Sequence, residues 1–334
     1  MNTRSTYKKT SYDLINLQSI DNINHQDDIN SKSLSKAFSD NGVKYLKTLN
    51  SSEQSNACFF KYLDLESALL CLKNKNIRFA EPTRWEDKYE GRFYQANYDN
   101  VCKQDKCTPL LYACCMTHKQ NNEAAWKIYT YGKTGLGAHC VQFKINRHKF
   151  RMQLARAEQI KQGYTIFEGR VLYCKENVIN DIHKQSVKTS RGLAITNKNY
   201  HTFFDSFDLF KYLNLLLLKR DHFKHENEIR FFIIPNDINK IKAKQIQKGG
   251  VKVFGDTLDI NIDWADIIEG IKIDDKCTDL EYEIFKDACL SLLPTLDLKK
   301  NPSTKERKEY EALLKKFTPI RVNLYGKRSS ITIE

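Results

Sequence analysis

The sequence predicts an α+β fold with mixed, mostly antiparallel sheets and flanking helices. Segments that alternate apolar and polar residues outnumber segments with helical periodicity. Several predicted strands follow one another with no room for a crossover helix, which favours antiparallel pairing. The chain has neither a Walker loop nor a G-x-G-x-x-G motif after a strand, so a doubly wound nucleotide-binding fold is not expected.

The first half of the chain is predicted to alternate strands and helices. Asp64 is a good N-cap for a helix with apolar residues at helical spacing, and Gly132 ends a second helix. The predicted elements are a strand at 58–62, a helix from 65 to 72, a strand at 77–80, a loop at 83–91, a strand at 110–116, a helix at 123–131 and a strand at 137–145.

The second half begins with a basic helix and continues mainly as strands. Capping boxes at Thr278-x-x-Glu281 and Ser303-x-x-Glu306 predict the start of the last two helices. The other predicted elements are a helix at 146–162, a strand at 167–174, an exposed loop at 178–200, a helix at 203–217, a strand at 226–234, a hairpin at 251–262 and a strand at 267–273.

Composition divides the 334 residues into three parts. Residues 1–50 are polar and weakly periodic and are expected to form an arm, residues 51–298 the main α+β domain, and residues 299–334 a basic helix and tail. No apolar leader follows Met1, and the longest aliphatic run, residues 215–218, is too short to cross a bilayer. We therefore expect a cytoplasmic protein without a membrane partner.

The net charge of +13 is concentrated in two segments. Residues 144–198 contain 12 Lys/Arg and 4 Asp/Glu, a net +8, and residues 299–334 contain 10 and 4, a net +6. Clustered cations attract polyanions, most commonly nucleic acid, through counterion release. A solvated helix face followed by a basic tail is the alternative interpretation.

The most informative motif is the charged start of the predicted strand 226–234. Glu226, Glu228 and Arg230 occupy alternate positions, so they are expected on one strand face. Charge at the mouth of an apolar strand is costly unless it is paired or used in chemistry. A structural ion pair of Glu228 with Arg230, Lys219 or Arg220 is the alternative.

Two other groups of residues are typical of ligand recognition. The loop at residues 84–90 mixes aromatic and charged side chains, and Trp126 and Tyr129 are spaced to share one helix face where a flat cationic ring can stack. Both groups can instead be aromatic core residues. The cysteines and histidines lack a metal-ligand spacing, so no metal cofactor is expected.

Four short blocks, in this order, resemble a bacterial domain-of-unknown-function family numbered twenty-nine seventy-one. They are residues 60–62 (FKY), 86–90 (EDKYE), 126–129 with Gly135 (WKIY and G) and 226–230 (ENEIR). The resemblance covers about residues 57–290. The second block has Glu86 and Lys88 where the family usually has Asn and Pro.

The same order of blocks is similar to the layout of ADP-ribosyltransferase folds. This similarity implies that Lys61 and Tyr62 hold the ribose or amide of NAD, that Trp126 or Tyr129 stacks on the nicotinamide, and that Glu228 is catalytic.

The remaining roles follow from side-chain chemistry. Arg84 or Arg78 can pair with the NAD pyrophosphate. Arg230 is expected to keep Glu226 or Glu228 ionised and oriented, and Glu90 is a further supporting residue.

The implied activity is that of a toxin-like ADP-ribosyltransferase that uses NAD as a substrate and transfers ADP-ribose to a macromolecule, in phage defence, with an antitoxin or other inhibitory partner. Nucleic acid is the favoured acceptor, and a protein acceptor is the alternative. A non-catalytic nucleic-acid-binding module or accessory subunit is the alternative of a different class. A metal-dependent nuclease using Asp87, Glu90, Glu226 and Glu228 is a third.

Overall fold

The structure is a computed structural model. It describes residues 44–45, 57–85, 87, 89–94, 111–120, 123–157, 164–190, 212–235, 252–254, 257–293 and 303–322. The strands are β1 (Lys44–Tyr45), β2 (Cys58–Asp64), β3 (Asn76–Ala80), β4 (Tyr112–Thr117), β5 (Cys140–Asn146), β6 (Tyr164–Arg170), β7 (Leu172–Cys174), β8 (Leu218–Arg220), β9 (Glu228–Pro235), β10 (Lys252–Phe254), β11 (Thr257–Asn261), β12 (Ile268–Asp274) and β13 (Ile320–Val322).

Helices lie between these strands and after them. They are α1 (Leu65–Asn74), α2 (Glu123–Ile128), α3 (Arg147–Arg156), α4 (Glu176–Ser190), α5 (Trp264–Ile267), α6 (Asp279–Leu290) and α7 (Thr304–Phe317). Residues 89–94 and 212–215 are also helical. Three 3-10 segments are Pro82–Arg84, Gly135–Ala138 and Asp221–Glu226.

Within the described residues, 11 strands form one sheet whose main path runs β1-β6-β9-β4-β2-β5-β12-β13. Strands β3, β11 and β10 branch from β4 in that order, and β7 and β8 form a separate parallel pair. The pairing of β12 with β13 is the parallel one in the main sheet; the remaining pairs are antiparallel. The predicted α+β class with a mostly antiparallel, mixed sheet is confirmed at this level.

The largest core covers one face of the sheet. Residues 229, 231 and 233 of β9 point to this face, as strand alternation requires. Phe231 is fully buried and makes edge contacts with Phe59 and Phe150, with ring centroids 5.4 and 5.3 Å away. Glu228 and Arg230 occupy the alternate positions of β9 and therefore point to the opposite face.

Helix starts follow the predicted caps. The Asp64 side chain accepts a hydrogen bond from Ser67 N at the start of α1, and complete capping boxes begin α6 at Thr278 and α7 at Ser303. The predicted loop at 178–200 is wrong over its first part, because α4 extends from Glu176 to Ser190. Residues 191–200 lie outside the described residues.

The terminal segments contribute strands to the same sheet. Lys44 and Tyr45 pair with β6, while the rest of the predicted arm at 1–50 lies outside the described residues. From the segment 299–334, β13 pairs with β12. In the part of the chain that the structure describes, none of the helices is both long and apolar enough to cross a membrane.

Candidate functional site

The candidate site lies where β9 begins. Glu226 ends a 3-10 segment, Asn227 has a left-handed backbone (φ 44°), and the strand starts at Glu228. The prediction that Glu226 shares the strand face of Glu228 and Arg230 is therefore wrong. Asparagine is among the few residues that adopt this conformation readily. The turn at Asn227 places Glu226 in the 3-10 segment and Glu228 in the strand.

The two glutamates nevertheless converge through a buried ion network, which we call the charge cluster: Glu90, Lys219, Glu226, Glu228 and Arg230. The Lys219 ammonium lies 2.9 Å from Glu90 Oε1, 2.6 Å from Glu226 Oε2 and 3.1 Å from Glu228 Oε2. Arg230 Nε donates to Glu228 Oε1 at 2.8 Å, and its Nη2 donates to Glu90. Three carboxylates thus share two cations.

Arg230 is the most deeply buried member of the charge cluster. Its exposed fraction is 0%, its Nη1 donates to the Leu216 carbonyl at 2.5 Å, and its guanidinium stacks 4.2 Å from the Trp85 ring centre. A buried guanidinium needs this number of acceptors, because an unpaired buried charge costs several kcal/mol. Arg230 therefore fixes the position of the Glu228 carboxylate from the buried side of the charge cluster.

The environment separates the two glutamates electrostatically. Burial acts to raise the pKa of the Glu228 carboxyl, but Arg230 and Lys219 outweigh it and hold that pKa well below its usual range. Burial raises the pKa of Glu226; Lys219 opposes the shift, and the charge of Glu228 reinforces it. Glu228 is therefore expected to be ionised at neutral pH, while Glu226, with a side chain that is 18% exposed, is the better proton acceptor.

Aromatic residues predicted to bind a ligand meet next to this cluster. The Tyr129 ring is stacked on Tyr62 with centroids 6.3 Å apart and planes 13° apart, and Trp126 contacts Tyr62 edge-on at 5.6 Å. Trp126 is buried, whereas Tyr129 is half-buried. Burial and the charges of Glu228 and Glu226 raise the pKa of Tyr129, while Lys61 opposes the shift, which places these groups within electrostatic range of the Tyr129 hydroxyl.

Lys61 lies where the sheet divides. Strand β2 pairs with β4 at one position, Phe60 with Thr117, and β3 pairs with β4 at Ala80 with Ala113. Between these points the Lys61 ammonium donates to the Cys115 carbonyl at 3.1 Å. The structure thus brings Lys61, Tyr62 and Tyr129 together at this division.

The predicted loop at residues 84–90 mainly stabilises the structure around the site. Arg84 is exposed at the end of the 3-10 segment Pro82–Arg84, and Arg78 forms a forked pair with Asp259. Asp87 is bonded to Arg220 at 3.2 Å, which holds the loop against β8. Among the described residues no three acidic, histidine or cysteine side chains are arranged as metal ligands.

Lys219 has a more central role than the sequence predicts. The sequence suggests Lys219 as one of several partners of Glu228, but Lys219 also binds Glu90 and Glu226. Trp85 was expected in the loop, yet its contact with Arg230 was not foreseen. A lysine next to an apolar run was the available signal, since such a side chain needs nearby acceptors.

Residues 125–231 match a family model described as a protein of unknown function (DUF2971). Over this segment, about a third of the chain, the sequence is similar to the DUF2971 family. The matched segment contains most of the candidate site, namely Trp126, Tyr129, Lys219, Glu226, Glu228 and Arg230. No curated protein and no solved structure matches the chain. The predicted resemblance to this family is confirmed over the matched segment, which is shorter than the predicted 57–290.

Proposed function

We propose that this chain is an ADP-ribosyltransferase that cleaves NAD and transfers ADP-ribose to nucleic acid. The observation that carries the proposal is the excess of carboxylate in the charge cluster beside Tyr129. With all groups ionised, three carboxylates face two cations, so one negative charge is uncompensated within the cluster. Such a fixed negative charge stabilises a developing cation.

The proposed reaction creates that cation. The bond between nicotinamide and ribose breaks, its electron pair leaves with neutral nicotinamide, and the sugar gains oxocarbenium character. Glu228 supplies the fixed negative charge, and Arg230 and Lys219 keep it ionised and oriented. Glu226, whose pKa is raised, accepts the proton of the attacking acceptor group.

In this proposal, the aromatic residues bind the nicotinamide end of NAD. The half-buried ring of Tyr129 is the stacking surface for the cationic pyridinium, because Trp126 is buried behind Tyr62. Lys61 and Tyr62 line the adjoining division of the sheet and contact the ribose or amide. Exposed Arg84 is the proposed partner of the pyrophosphate.

A second candidate function is a nucleic-acid-binding module without catalysis. The observation that favours it is the saturation of Glu228, whose two carboxylate oxygens are both engaged by Lys219 and Arg230. A carboxylate in this state is typical of structural ion networks as well as of oriented catalytic groups. In this alternative, the charge cluster only stabilises the fold.

The two candidates are separated by incubating the purified chain with NAD labelled in the adenylate phosphate, together with RNA, DNA or cell lysate. We expect nicotinamide release and label transfer to nucleic acid. Glu228→Gln is expected to slow both by about 100- to 1000-fold. Glu226→Gln is expected to slow transfer by about 100-fold or more. Absence of both products with the unmodified chain would overturn the enzyme proposal.

Controls must separate lost chemistry from lost folding. Glu283→Gln removes an exposed glutamate on α6, where Glu283 pairs with Lys286 at 2.8 Å, and is expected to leave the rate unchanged. Thermal unfolding of each variant shows whether the chain is folded. A folded Glu228→Gln variant with full activity would contradict the assignment of Glu228.

If the activity is confirmed, uncontrolled modification of nucleic acid would harm the host cell. The proposal therefore includes a toxin-like role in antiviral defence, with an inhibitory protein partner. Copurification of an activity-suppressing protein from the native host would test this part.

A further inference from the structure

A groove of about 390 Å³ opens beside the charge cluster, at the edge where β4 and β6 end and β9 begins. Its lining includes three cations and three other polar side chains: Lys119, Arg170, Tyr173, Lys224, His225 and Asn227. No acidic residue is among the described residues that line it. An anion in this groove would meet positive charge from three separate segments of the chain.

The three cations are available to a ligand. Lys119, Arg170 and Lys224 are exposed, and none of them makes an ion pair with another described residue. By contrast, the nearby Arg151 is engaged in a forked ion pair with Glu168. Cations that have no ion-pair partner among the described residues and that converge on one concave surface attract phosphate.

The groove adjoins the candidate site directly. The backbone N of Glu228 donates to the Tyr173 hydroxyl at 2.8 Å, so one lining residue contacts the first residue of β9. Asn227, in the left-handed turn, lies in the lining and between the two glutamates. A molecule held in the groove is thus placed next to Glu226 and Glu228.

We propose that this groove binds the phosphate backbone of a nucleic-acid strand, through Lys119, Arg170 and Lys224. An open surface with cations from three segments suits a chain of phosphates, and Arg170 belongs to the basic segment 144–198. The further role of the groove, to hold the strand that accepts ADP-ribose, rests on the proposed function. The binding itself does not depend on catalysis.

The test is the salt dependence of binding to a fluorescein-labelled single-stranded RNA or DNA 20-mer, measured by anisotropy. Three phosphate contacts contribute a slope of about −2 to the plot of log affinity against log salt, equivalent to about 20-fold between 50 and 200 mM. The variant with Lys119→Gln, Arg170→Gln and Lys224→Gln is expected to lose this contribution.

The matched control removes the same charge from other exposed positions, by Lys73→Gln, Lys75→Gln and Arg156→Gln. We expect its slope to change by less than 0.5. An equal change in both variants would show a response to net charge alone and would overturn the proposal, as would an unchanged slope in the groove variant.

A third measurement separates the strand from NAD as the occupant. Equilibrium binding of labelled NAD is expected to be unchanged in the groove variant; weaker NAD binding with intact strand binding would assign the groove to the pyrophosphate and overturn our proposal. Groove-dependent strand binding without any NAD cleavage would leave the groove assignment standing and refute the proposed enzyme. NAD cleavage together with strand binding that does not depend on the groove would support the proposed enzyme and refute the groove assignment.

Discussion

Replacement of Arg230 by methionine tests whether the charge cluster is a stabilised unit. The change removes the cation that donates to Glu228 at 2.8 and 3.2 Å and to the Leu216 carbonyl at 2.5 Å. Methionine fills a similar volume, so the main loss is the charge and its hydrogen bonds. Lys219 alone then faces three carboxylates.

The expected destabilisation follows from this imbalance. Removing one partner of a buried ion pair costs about 3 to 5 kcal/mol, because the remaining charge stays buried without compensation. We expect this loss in the free energy of unfolding, measured by urea denaturation at pH 7. Arg307→Met, an exposed arginine on α7, is the control and is expected to change stability by less than about 0.5 kcal/mol.

The change of this stability loss with pH distinguishes an electrostatic cause from a loss of packing, which would not depend on pH. The lowered pKa of Glu228 means that its stabilising effect is present above the unfolded-state pKa and is lost as pH falls through the folded-state pKa. In Arg230→Met the unpaired carboxylates can protonate, so the variant's deficit is expected to shrink between pH 7 and pH 4. A deficit below about 1 kcal/mol, or one that does not change with pH, would refute the reasoning.

Three further predictions concern the rest of the fold. Burial and three nearby arginines lower the pKa of His118 to about 4, so the native state is expected to lose stability as pH falls from about 6.5 to 4, and His118→Gln to flatten that loss in denaturation curves. A folded-state His118 titrating near 6.5 by NMR would contradict this. Phe231→Ala is expected to cost about 3 to 5 kcal/mol of unfolding free energy, and a cost below about 1 kcal/mol would mean that the site refills. Thr278→Ala and Ser303→Ala each remove a capping box and are expected to cost about 1 kcal/mol in denaturation experiments; no loss for either would show that its helix end does not need the cap.

Local patterns were sufficient for much of the fold. A continuous apolar run predicted β9, a strand was also predicted at 267–273 where β12 lies, and the capping boxes placed the starts of α6 and α7. Helix α4 was missed because its sequence is mostly polar, with Ile179 and Ile182 as its fully buried apolar side chains within the positions whose burial is described.

The candidate site was harder to predict, because its geometry depends on long-range packing. Glu90 reaches Arg230 from 140 positions away in the sequence, and no periodicity encodes that contact. The left-handed turn at Asn227 had a local signal, since asparagine tolerates that conformation, but the apolar run following it made a continuous strand the simpler interpretation. The motif thus pointed to residues that meet in the charge cluster, but it gave the wrong local geometry for Glu226.

The opposite charges of the groove and the charge cluster predict which atom of a strand would be modified. Phosphates are attracted to Lys119, Arg170 and Lys224, whereas the uncompensated negative charge of the charge cluster repels them. A bound strand should therefore present a base or sugar group, rather than a phosphate, to Glu226. Under the proposed function, oligonucleotides with and without a terminal phosphate are expected to accept ADP-ribose at equal rates. Loss of labelling after removal of the terminal phosphate would show that a phosphate enters the charge cluster, and the arrangement inferred from these charges would then be wrong.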